Sequence, residues 1–177
     1  MLFSELSLWT MLHGIVLGGG ALMALVAALF ALGTLLRPID GSPAVRDRRS
    51  AVATLTVVIA VVLWLTVLTG TYILFPPYRA TPPEGLTALA RYPRSMVLAN
   101  PETAWLHAFG MESKEHMPWI AAMLATAVAF VTTRYRSMIL ADGPVRRLAM
   151  TLLAVCFTLV SFTALMGIFV NKVAPLE

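Results

Sequence analysis

Residues 51–75 read AVATLTVVIAVVLWLTVLTGTYILF, a stretch with no charged side chain. A helix needs about 20 apolar residues to cross the hydrocarbon core of a bilayer, so this run crosses it with room for tilt. Its composition is continuous and rich in Val, Leu and Ala, without the strict alternation of a membrane-spanning strand. Pro76-Pro77 ends it on one side, and Arg46, Arg48 and Arg49 precede it on the other.

Working outward, three more apolar runs appear, so the spans read Trp9–Leu36, Ala51–Phe75, Met117–Thr133 and Leu148–Val170. The third is at the short end of the spanning range and is expected to borrow a turn from what precedes it. Hydrophobic residues make up 59% of the 177 and charged residues only 12%, which places the chain among membrane proteins. The expected fold is an all-α, integral membrane four-helix bundle forming a single transmembrane domain over residues 1–177. The first run is a poor signal peptide: Glu5 precedes it, no Lys or Arg does, and its length exceeds an ordinary h-region, so it is expected to remain as a helix.

The formal charge of +4 has a distribution that explains it without nucleic acid. The connections 37–50 and 134–147 hold eight arginines against Asp40, Asp47 and Asp142, a net of +5. The remaining five basic residues face six acids, a net of −1. The positive-inside rule then puts both short connections in the cytoplasm. Both termini and the long middle connection are expected outside, in a multi-pass protein of the cell inner (cytoplasmic) membrane. The arginines are also placed to touch anionic lipid. Cys156 lies inside the fourth run, where a lone cysteine packs as a small apolar residue.

Pro38, Gly41 and Pro43 mark one turn, and Asp142-Gly143-Pro144 another. Between the two hairpins, the external loop of residues 76–116 is too long to be a passive link. Within it, Asn100-Pro101-Glu102 reads as a helix start, with Asn as N-cap and Pro at the first helical position. A short external helix is therefore expected over Glu102–Phe109, leading into the third span.

In so apolar a chain the chemistry-bearing side chains stand out, and the three histidines lead: His13, His107 and His116. Imidazole is the commonest metal ligand and titrates near neutrality. His13 lies within an apolar span, where ionisable groups are costly and usually functional. At helical spacing its face continues through Leu17, Gly20, Ala24 and Ala31, and Gly14 and Gly18 form a small-residue pair on the neighbouring face. Such residues admit either a close helix or a flat porphyrin. His116 opens the third span four residues after Glu112, close enough on a helix for the carboxylate to orient the imidazole. The same segment, Glu112 to Trp119, also fits an ordinary solvated helix start, with Pro118 favouring a kink. His107 is nine residues before His116; on one unbroken helix the two face opposite ways, and they share a site only if Gly110 breaks the helix.

Helices one and three would present His13 and His116 at similar depth, and two facing imidazoles are an axial pair for heme b in a bundle core. With these two histidines and its four spans, the chain loosely resembles the small four-helix b-type membrane cytochromes of respiratory and other electron-transfer complexes. The resemblance implies a heme-binding electron-transfer subunit with His13 and His116 as axial ligands and Gly20 and Glu112 beside the cofactor. It implies partners such as a larger membrane complex, a quinone or an external redox protein. The chain departs from that pattern, because no helix carries two histidines about fourteen apart, and three histidines cannot hold two stacked bis-histidine hemes. No Cys-x-x-Cys-His is present for covalent attachment.

Two alternatives stay open. A non-heme metal could take Glu112, His116 and either His13 or His107 as ligands, or the chain could be a cofactor-free accessory or assembly subunit. A quinone would find apolar walls in Trp9, Trp64, Tyr72 and Trp119. No G-x-S-x-G elbow or phosphate-binding glycine loop is present. The runs also show no mid-membrane acid or base of the kind carriers use.

Overall fold

The computed structural model describes residues 3–34 and 43–176, without the side chains of residues 43–49, 140 and 141. The expected turn at Pro38 and Gly41, the end of the first run at Leu36, and the side chains of Pro43, Arg46, Arg48 and Arg49 lie outside that description.

Four helices are long and apolar enough to cross a membrane: α1 (Glu5–Thr34), α2 (Ser50–Arg79), α4 (Pro101–Arg134) and α6 (Gly143–Val173). A short helix α3 (Pro93–Ala99) lies between α2 and α4, and α5 (Arg136–Ala141) precedes α6. The chain is a multi-pass membrane protein of all-α architecture. Side-chain caps start three of these helices. Ser4 accepts from the Ser7 N–H, Asn100 from the Glu102 N–H, and Asp142 from the Val145 N–H. The Asp-Gly-Pro read as a turn thus serves as the N-cap of α6.

The four long helices pack around a square. Helix α1 lies against α2 and α6, and α4 lies against the same two, so α1 and α4 face each other across a diagonal. Buried Leu25, Leu32, Ile59, Leu63, Val128 and Leu153 fill the centre. Ala121, Ala122 and Ala125 let α4 approach its neighbours closely, and the Cys156 thiol points at the Ala121 carbonyl from α6, 3.4 Å away.

Both described termini and the connection 80–100 gather at one end, called the capped end below. A second apolar cluster of Tyr78, Val97, Leu106, Met111, Val170 and Ala174 closes it. Two details differ from expectation. The short helix between the hairpins lies at 93–99, and the helix starting at Pro101 does not stop at Phe109. It runs on to Arg134, because Gly110 stays in the helix and packs against the Met166 sulfur; a Cβ there would lie 3.5 Å from that atom.

Three of the long helices change winding at the capped end. Leu12–Gly19 in α1, Gly70–Leu74 in α2 and Leu106–Met111 in α4 are π-helical. A π-turn inserts an extra residue and rotates the face that follows; such turns recur at functional sites. In α1 this rotation moves the packing face to Gly18, Ala21, Leu25, Ala28 and Leu32, while Gly14 and Gly20 are exposed. The face expected through Gly20 was drawn at uniform 3.6-residue spacing, and the π-turn after His13 shifts it.

Candidate functional site at the capped end

His13 sits in the π-turn of α1 and meets α2. Its Nδ1 is 3.0 Å from the Thr69 hydroxyl oxygen. That hydroxyl directs its single proton to the backbone, toward the carbonyls of Leu65 and Thr66. With its proton so directed it accepts from a His13 Nδ1–H, the tautomer that leaves the lone pair on Nε2. The ring has space only because residue 70 lacks a side chain: a Cβ on Gly70 would lie 2.9 Å from His13 Cε1.

Lys114 completes the picture from the opposite helix. Its ammonium is turned into the bundle against α6, where a Cβ on Gly167 would lie 2.7 Å from Nζ. Among the described residues no acid is paired with it, and it is the charged group that acts on the His13 ring. Two ionisable side chains, from α1 and α4, thus enter the capped half of an apolar bundle, each opposite a glycine. Helix interiors disfavour glycine by about 1 kcal/mol relative to alanine, so seating these groups has a cost the fold accepts. A solvated helix start was one of two sequence readings of the segment that holds Lys114. Counting back seven residues from buried Ala121 places it on the inner face of α4, and that periodicity was the available signal.

His116 stands elsewhere. It is exposed, on the stripe of α4 that continues through Ile120, Met123 and Phe130 on the outside of the bundle. Its Nδ1–H donates to the Glu112 main-chain carbonyl at 2.8 Å, so the carbonyl orients the ring in place of the expected carboxylate. Nε2 is again left with a lone pair. The structure does not bring His13 and His116 together, since they occupy diagonal helices, one facing in and one out. Gly20 is exposed beyond the π-turn, with nothing near its Cβ position.

His107 belongs to a third setting. Arg94 Nε–H of α3 donates to its Nε2 at 3.3 Å, and its Nδ1 is 3.1 Å from the Tyr78 hydroxyl of α2. An imidazole that accepts at Nε2 holds its proton on Nδ1, so His107 donates to Tyr78. Both nitrogens are engaged in tying the cap to α2. Among the described residues no three His, Cys or acidic side chains gather as metal ligands.

The aromatic residues also divide. Trp64 and Trp119 meet edge-to-face at 5.7 Å between α2 and α4, and Trp64 Nε1–H donates to Thr126. Tyr72 is exposed. Trp9 lines a shallow apolar groove of about 250 Å³ with Glu5, Leu8 and Leu12 on α1.

No family model matches this chain. Neither a curated protein nor a solved structure matches it.

Proposed function

We propose that this protein is a quinol-linked electron-transfer subunit of a membrane complex, with His13 and Lys114 as the groups that meet the redox partner. The observation that carries this is the His13 ring, held in the bundle by Thr69 and accompanied by a Lys114 ammonium that has no acid partner among the described residues. A quinol offers two ring oxygens. A hydroxyl hydrogen would go to the Nε2 lone pair, and an oxygen would accept from Lys114. Intramembrane ionisable residues mark such sites by default. The arginine asymmetry supports an inner-membrane setting with the capped end outside.

A b-type heme is the second reading, favoured by the same ring. A histidine whose Nδ1–H is hydrogen-bonded can offer Nε2 to a metal. His13 would hold the heme, and a second ligand would come from a group other than His116, which faces away from His13. Heme would supply one-electron transfer; Thr69 and Gly70 would hold and seat its histidine.

Purified protein distinguishes the readings by a reduced-minus-oxidised absorption spectrum and by extraction and quantitation of bound quinone. Stoichiometric quinone that is lost in His13→Ala and in Lys114→Met supports the first. A b-type α-band lost in His13→Ala supports the second. A featureless spectrum with no retained quinone, from cells supplied with both, removes both readings and leaves a cofactor-free accessory subunit or a non-heme metal site, separated by elemental analysis.

A further inference from the structure

The connection between α2 and α4 is fastened by one imidazole that uses both of its nitrogens. We propose that the Arg94–His107–Tyr78 tie is an acid-released latch, which holds the short helix α3 over the capped end at neutral pH and lets it go on acidification. The geometry admits one protonation state. Arg94 Nε–H needs a lone pair on His107 Nε2, and the Tyr78 hydroxyl takes the Nδ1 proton. A proton added at Nε2 removes that acceptor and sets an imidazolium against a guanidinium. The Arg94 arm must then part, while the Tyr78 arm survives, since Nδ1 remains a donor.

The charged groups facing the ring come from each element around it. Helix α2 contributes Arg79 beside the neutral Tyr78, α3 contributes Arg94, and α4 contributes Glu112 and Glu115. Helix α6 enters the cluster through apolar Val170 and Ala174. Histidine is the side chain that changes charge between about pH 5 and 8.

The released part is well defined. Helix α3 spans seven residues, Pro93–Ala99, and buries Pro93 and Val97. A helix this short has little stability of its own and depends on its tertiary contacts. Losing the Arg94 bond therefore loosens α3 preferentially, while the long helices stay in place. This latch is independent of whether His13 serves a quinol or a heme.

The test is hydrogen–deuterium exchange of the full chain in lipid nanodiscs at about pH 7.5 and about pH 5, corrected for intrinsic rates. Protection of the α3 amides should fall about tenfold on acidification, while α6 amides keep theirs. In His107→Gln, the amide oxygen can accept from Arg94 and the amide nitrogen can donate to Tyr78 without titrating, so protection should persist at both pH values. Arg94→Met removes the same bond without touching the histidine and should leave α3 unprotected at both. Equal α3 protection of the wild type at both pH values overturns the latch. So does an acid response retained in His107→Gln, or neutral-pH protection retained in Arg94→Met.

Discussion

The two halves of the bundle are built on different rules. Away from the cap, the helices are α-helical and packed through alanine and leucine, and a buried threonine pair joins α2 to α4. Thr56 and Thr132 share a hydrogen bond of 2.6 Å, and each also reaches a carbonyl one turn back on its own helix. At the capped end, three helices adopt π-turns, glycines stand opposite His13 and Lys114, and the Lys114 ammonium has no acid partner among the described residues. One half uses polar groups as glue; the other holds them with bonding capacity to spare. A membrane protein spends stability on unpaired ionisable groups where they work, which is why the search for function belongs at the cap.

Substitutions sharpen this contrast. The largest effect is expected in the regular half from Leu153→Ala, which opens a cavity at a fully buried position. Its cost, read by thermal or denaturant unfolding in detergent, should be about 2–4 kcal/mol. Next comes Gly70→Val. The His13 ring cannot retreat from the new Cβ without leaving Thr69, so a loss of about 1–3 kcal/mol is expected. Gly20→Val is its control, because nothing lies within 4 Å of a Cβ there and stability should hold. Equal losses in the two glycine variants would remove the case for a seat built around His13. The smallest effect is Thr132→Val, about 0.6 kcal/mol, since Thr56 keeps its bond to the Ala53 carbonyl. A loss several times larger would mean that the regular half, too, depends on its polar pairs.

Much of the architecture was legible in the residues. Charge-free runs fixed the number of long helices, and Asn100-Pro101-Glu102 announced the start of α4 with its cap in place. The faces were less legible. Uniform helical spacing carried the His13 stripe to Gly20, but the π-turn at Leu12–Gly19 moved the buried stripe to Gly18 and Ala21. The extra residue falls where α1 packs against α2. Lys114 was hidden for another reason. Its neighbours Glu112, Glu115 and His116 suggest a solvated helix start, and only the alanine periodicity downstream reveals its direction. The partners of His107 come from Tyr78 and Arg94, which no spacing rule links to it.

The edge-to-face pair Trp64 and Trp119 has one more consequence. Two indoles 5.7 Å apart at 80° lie close enough for their excited states to couple, and the Trp64 bond to Thr126 ties the first of them to α4. The junction of α2 and α4 therefore carries its own chromophore pair, whose near-ultraviolet circular dichroism reports helix separation without any added label.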